Sequence, residues 1–197
     1  MSSSYTITKK KKRDKNQYIL GISFVLLLGS FFIPLVVLLP LQQALYHPFG
    51  YWFLEPPRSA YFIFTGSLIL LSLSLLLMIS GLAKNKMAKG LIAAGIFASI
   101  LLSVLSVDHY HYMNGNGIYI NPFFGFGEKE FLWADVEEAK QIAVEEKNGL
   151  KDKNLTFVFK DGEQYSFLIT ETVRKAYPIF NVKLQEKGIQ VTREFPE

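Results

Sequence analysis

Twenty-two consecutive residues without a charge, Tyr18 to Leu39, limit what this chain can fold into more than any other feature. At 1.5 Å per residue they make a helix of roughly 33 Å, enough to cross a bilayer core of about 30 Å. Tyr61 to Leu82 repeats the pattern, and Leu91 to Val107 adds 17 residues, the short limit for a span. Between residues 16 and 107 the only charges are Glu55, Arg58, Lys84, Lys86 and Lys89. Buried helices of a soluble protein keep a polar stripe toward water, yet Leu68 to Leu77 is aliphatic on every side apart from Ser72 and Ser74. The sequence therefore predicts a basic tail over 1–17 and an α-helical membrane part over 18–107 with three transmembrane helices, 18–39, 61–82 and 91–107.

The first apolar run exceeds the roughly 7–15 residues of a signal-peptide core, and no small-x-small cleavage site follows it. It reads as an uncleaved anchor, kinked at Pro34. Lys9, Lys10, Lys11, Lys12, Arg13 and Lys15 precede it, Arg58 alone lies between the first two spans, and Lys84, Lys86 and Lys89 lie between the second and third. By the positive-inside rule the N-terminus and the second loop are cytoplasmic, and three crossings place everything after Asp108 outside. The lysine-rich head faces anionic lipid, so it serves as topology signal and lipid anchor, with no nucleic acid as partner. Tyr46, His47, Phe49, Tyr51, Trp52 and Phe53 in the first outer loop read as an aromatic interface anchor.

From 108 to 197 the periodicity changes to strand-like alternation. Tyr110 and Tyr112 share one face, His109 and His111 the other, and Asn114-Gly115-Asn116-Gly117 turns the chain into Ile118-Tyr119-Ile120. Glu128 to Trp133 and Val136 to Val144 read as further strands, the second also fitting a helix. Leu155, Phe157 and Phe159 alternate up to the turn Asp161-Gly162, which leads into Tyr165, Phe167 and Ile169. Thr170 is the expected N-cap and Gly188 the stop of a closing helix whose Val173, Tyr177, Phe180 and Leu184 share a face; Pro178 predicts a kink or break in it.

Asn116-Gly117-Ile118-Tyr119-Ile120 followed by Glu130-Phe131-Leu132-Trp133-Ala134-Asp135-Val136 resembles the bacterial pleckstrin-homology-like (PH-like) domains of small multi-span membrane proteins, over roughly residues 108–190. The resemblance implies an α+β module, a small antiparallel sheet or half-barrel closed by a C-terminal helix, with no catalysis and no cofactor. Relatives with an even number of spans carry this module in the cytoplasm, whereas three spans put it outside. The Met113 to Gly117 turn also lacks lysine and arginine, so the inositide binding of some relatives is not carried over.

Other chemistry is sparse. The absence of cysteine excludes disulfides, thiolate metal sites and a cysteine nucleophile. His109 and His111, with Asp108, are the metal candidates; against them stand the three or four donors a metal needs and the alternative of a polar, solvent-facing strand face. Phe123, Phe124 and Phe126, in the loop Pro122 to Gly127, form either a membrane or partner contact or part of the module's core. The pairs Glu137-Glu138 and Glu145-Glu146 read as solvated charges, and no phosphate loop or dinucleotide fingerprint is present.

The expected function is that of a non-enzymatic, multi-pass cell-membrane protein presenting a PH-like recognition module that binds the lipid bilayer or an envelope protein partner. A transporter, or an accessory subunit of one, is the alternative; against it, the spans lack the charges that mark substrate pathways. A reporter active on one side only, fused after Glu197, is expected to report an outside location. Activity on the inside would reverse the topology.

Overall fold

The computed structural model describes residues 15–46, 50–80, 85–125, 127–146 and 149–195. They divide into two units, one comprising the described residues up to Pro34 together with Ile63–Ser103, the other Leu35–Phe62 together with the chain from Val104 onward. The head lysines before Lys15, His47, Phe49, Leu82, Lys84 and Phe126 lie outside the described residues.

The expected first span is not one helix. Helix α1 covers Lys15–Gly29 and α2 covers Ile33–Tyr46, with the chain bent by 83° between them. The break precedes Pro34, whose ring would collide with the Ser30 carbonyl if the helix ran on. Placed in the first turn of α2, the same proline lacks an N–H that has no helical partner in any case. At the break, the Ser30 hydroxyl donates to the Leu27 carbonyl (2.8 Å) and Phe32 N–H donates to the Gly29 carbonyl (2.9 Å). The other two expected spans are continuous: α3, Arg58–Ile79, has 22 residues and α4, Lys86–Asp108, has 23. Two described helices are thus long and apolar enough to cross a membrane, and a third span exists if α1 and α2 count together.

In the first unit the helices meet through small residues. Ser72 Oγ of α3 donates to the Ser23 carbonyl of α1 at 2.7 Å, Ser67 and Ser103 hydroxyls lie 2.8 Å apart, and Gly95 packs directly against Ser74. Such residues bring helix backbones close where no hydrophobic effect drives association. The polar interruptions of the aliphatic run therefore face other helices, while Leu73, Leu77, Phe97, Ile100 and Leu101 face outward.

The second unit holds two sheets. Strands β1 (Phe53–Glu55), β2 (His111–Met113), β3 (Gly117–Ile120) and β4 (Lys129–Leu132) follow one another across the first. The other has the order β7-β6-β5-β8, from β5 (Val136–Glu146), β6 (Gly149–Phe159), β7 (Gln164–Leu168) and β8 (Val191–Glu194). β5 is a strand throughout. Both expected hairpins form, with Met113 opposite Ile118 and Phe157 opposite Tyr165. β1 comes from the loop read as an interface anchor, and its pairing with β2 buries Phe53 and Leu54. The same pairing joins the chain just before α3 to the chain just after α4.

The sheets are not purely antiparallel, because β8 lies parallel to β5. Helix α5, Glu171–Glu186, carries the chain back across between β7 and β8, the kind of crossover a parallel neighbour requires. Neither sheet closes on itself. α5 runs without a break through Pro178, correcting the expected interruption: Pro178 is exposed, and water can reach the Arg174 carbonyl that it leaves unpaired. Thr170 caps the helix by accepting from Val173 N–H. Val173, Ala176, Phe180 and Leu184 enter one core with Phe53, Met113, Ile118, Trp133, Leu155, Phe157 and Phe167, so both sheets and α5 share it.

Gly117 opens β3, where an added Cβ would sit 2.2 Å from the Phe131 carbonyl oxygen. Backbone cannot rotate aside as a side chain can, so Gly117→Ala is expected to cost about 2 kcal/mol through strain. Gly115→Ala, which meets nothing within 4 Å, should stay within about 0.5 kcal/mol. Thermal unfolding of the full chain in detergent distinguishes the two; equal stability would refute the close approach.

Candidate functional site

Polar groups of the second unit converge where α4 ends. A helix end leaves carbonyls without intrahelical donors, and here side-chain amides supply them. Gln42 Nε2, buried on α2, donates to the carbonyls of Val107 (3.0 Å) and His109 (2.9 Å). Asn121 Nδ2 donates to the Asp108 carbonyl at 2.7 Å, and its backbone N–H donates to the Tyr110 carbonyl at 2.9 Å.

His109 completes this clamp. Its Nδ1 lies 2.8 Å from the Asn121 carbonyl, which can only accept, so Nδ1 carries the proton. Nε2, 2.8 Å from Ser59 Oγ, then accepts from that hydroxyl. Burial lowers the His109 pKa against the opposing pull of the Asn121 carbonyl and Asp108, which keeps this neutral tautomer in place. His111 lies on β2, whereas His109 precedes the strand in the exit from α4. The His111 ring packs edge-on against Phe167, 4.8 Å between centroids, and near Phe53, with Nδ1 3.3 Å from Tyr165 Oη. Burial pushes its pKa down from 6.5 to about 3, and nearby His109 adds to the shift.

Both histidines are buried, which corrects the expectation of a solvent-facing polar strand face. The residues of the metal reading are not brought together as a ligand set: both His109 nitrogens are engaged, and no group of three or more His, Cys, Asp or Glu able to hold a metal occurs among the described residues.

The Asn121 clamp leads directly into the phenylalanine loop. Phe123 is half-buried, edge-on to His109 at 6.0 Å, and Phe124 stands perpendicular to Phe123 at 4.5 Å while remaining 88% exposed. Gly125 permits the tight turn, since a Cβ there would lie 2.6 Å from Pro122 Cγ. Of the two described rings, Phe123 packs on the clamp and Phe124 projects outward.

One further grouping had only a partial signal, the shared face of Tyr110 and Tyr112. Tyr119 stacks on Tyr112 at 4.7 Å and 4°, and Tyr46 lies 4.4 Å from Tyr110. Tyr110 and Tyr112 donate to Glu128, and Tyr119 donates to Glu130 at 2.5 Å. Burial first, and then the adjacent carboxylates, raise the pKa of all three tyrosines, so they remain neutral donors. Cross-strand pairing is what joins Tyr112 to Tyr119.

No protein-family model, curated protein or solved structure matches this chain.

His111 generates a pH prediction. It is neutral when folded, while the unfolded chain takes up a proton near 6.5, so its contribution is complete above about pH 6.5 and is lost as pH falls toward 3. Within that window stability is expected to fall by about 1.4 kcal/mol per pH unit, with His109 acting in the same direction. Melting of the full chain between pH 7.5 and pH 4.5, both on the order of ordinary buffer values, should show a steep decline that His111→Gln flattens. An unchanged slope in that variant would remove His111 as its cause.

Proposed function

We propose that this chain is a multi-pass protein of a bacterial cell membrane that holds a non-catalytic, PH-like recognition module against the lipid surface, with Phe124 as its membrane contact. The observation that carries this reading is the clamp. His109 and Asn121 fasten the phenylalanine loop to the last turn of α4, an apolar helix of spanning length, while Phe124 is left 88% exposed. A loop tied to the end of a membrane span lies at headgroup depth, where an exposed aromatic ring is stabilised. In water the same ring would remain unburied.

Two arguments support the topology. The β1–β2 pairing joins the segments flanking α3 and α4, so these two helices leave from and return to one side. Lys86 and Lys89 at the other end of the pair favour the cytoplasm and so put the module outside. The basic head then requires α1 and α2 to make one crossing together. The PH-like assignment draws on the two four-stranded sheets and on α5 sharing their core. A non-catalytic role is favoured by the use of the polar groups at this pole: Gln42, His109 and Asn121 hold backbone carbonyls in place.

The natural chain has no cysteine, so Phe124→Cys creates a unique labelling site. A nitroxide there, in full-length protein reconstituted into phospholipid vesicles, is expected to relax with oxygen far more than with a water-soluble nickel chelate. A label at Asp161→Cys, in the exposed β6–β7 turn, should show the opposite. Equal exposure to nickel at both sites would overturn the lipid contact.

A further inference from the structure

Within the second unit, a cavity of about 280 Å³ opens between the end of β1, the first turn of α3 and the edge strand β7. Glu55, Arg58, Tyr61, His111, Tyr165 and Thr170 contribute to its wall. None of these except His111 was singled out as a site residue by the sequence, and the clamp and the phenylalanine loop make no use of the cavity.

Its charges are unusual in their separation. Glu55 and Arg58 are three residues apart, yet neither forms an ion pair among the described residues. The intervening Pro56 and Pro57 have fixed φ and stiffen the connection. Among the described residues Glu55 accepts only the Thr170 hydroxyl, at 2.8 and 3.0 Å, which leaves lone pairs on both carboxylate oxygens. Arg58 is exposed, and its planar fork of five donors is uncommitted among the described residues. Opposite charges that face one cavity without meeting each other match a ligand that carries both.

The wall also contains a buried polar group with spare capacity. His111 is 6% exposed, and its one hydrogen-bond contact among the described residues joins Nδ1 to Tyr165 Oη. Nε2 therefore has no partner among the described residues, although neutral imidazole can use both nitrogens. With Tyr165 donating to Nδ1, Nε2 carries the proton and is a donor. The first turn of α3 adds the positive end of a helix dipole.

We propose that this cavity binds a zwitterion with a primary ammonium and a phosphate, the chemistry of a phosphoethanolamine headgroup, with Glu55 holding the ammonium and Arg58 the phosphate. A carboxylate recognises the N–H donors of a primary ammonium, which a trimethylammonium lacks. Arg58 supplies the two-pronged geometry that phosphate favours. The volume lies just below the usual range for drug-sized ligands, about 300–1,000 Å³, and so suits a headgroup. Arg58 is also the first residue of α3, which sets the cavity at the depth where lipid headgroups lie. The site is independent of Phe124 contacting lipid.

Native mass spectrometry of the full-length protein in mild detergent tests this with dioleoyl lipids bearing phosphoethanolamine, phosphocholine or phosphoglycerol headgroups. The phosphoethanolamine lipid is expected to be retained about tenfold better than the other two, as one charge-assisted hydrogen bond would give. Glu55→Gln should abolish the preference over phosphoglycerol. Arg58→Gln, at an exposed position that the fold does not depend on, should weaken retention of the phosphoethanolamine lipid by a similar factor and serves as the second variant if Glu55→Gln melts early. Displacement of the lipid by dissolved phosphoethanolamine would show that the headgroup alone suffices; a lipid that stays bound would make the membrane the source. Equal retention of all three lipids, unchanged selectivity in Glu55→Gln, or unchanged retention in Arg58→Gln would overturn the proposal.

Discussion

The last carbonyls of a long apolar helix such as α4 need donors from elsewhere in the protein, and the organisation of this molecule around Asp108 answers that need. Val107, Asp108 and His109 all present carbonyls there. Gln42 and Asn121 supply amide hydrogens, and His109 uses its own ring to secure Asn121. An unmet buried acceptor costs about 1–3 kcal/mol, so three unmet carbonyls would weigh heavily against a domain of ordinary stability. The acceptors also determine how the Gln42 amide faces: its NH₂ must point to the helix end, and Oε1 is left buried without a partner among the described residues. One set of hydrogen bonds therefore terminates α4, positions α2 and anchors the loop that carries Phe124.

A second consequence follows from β1. Three residues preceding α3 pair with the first strand after α4, so a short segment between two apolar helices becomes part of the sheet. Phe53 enters the shared core, and Glu55 reaches Thr170, the N-cap of α5. These contacts bring residues more than a hundred positions apart to one side of the fold, and they create the cavity in which Glu55 and Arg58 stand without an ion pair among the described residues. Neutral buried His111 beneath it couples that region to pH through the protonation of the unfolded chain.

Much of the architecture was legible in the sequence because it rests on local rules. Charge-free runs of bridging length require helices in lipid; Asn114 to Gly117 and Asp161-Gly162 mark hairpins; Thr170 marks a cap. The histidines were misjudged because alternation assigns residues to faces without stating which face is wet. In this fold both faces of the β2–β3 hairpin are covered, one by the common core and the other by tyrosines, so His111 is buried, while His109, ahead of the strand, is buried between Ser59 and Asn121. Pro34 and Pro178 show a similar limit. The ring imposes a missing N–H and a possible clash, but its surroundings decide whether the helix breaks, as before α2, or continues, as along the exposed face of α5.

The sequence by itself determined that the first half of the chain belongs to helices suited to lipid, that the second half alternates as strands closed by a capped helix, and that the spans carry almost no charge. These properties depend on hydropathy, period and neighbouring residues, all of which are local. Only the tertiary structure decided that β1 joins the sheet, that β8 returns parallel to β5, that His109 is held between Ser59 and Asn121, and that Phe123 packs while Phe124 projects. Each of these depends on groups distant in sequence meeting in space, where buried donors must find acceptors and the identity of the partner cannot be read from spacing.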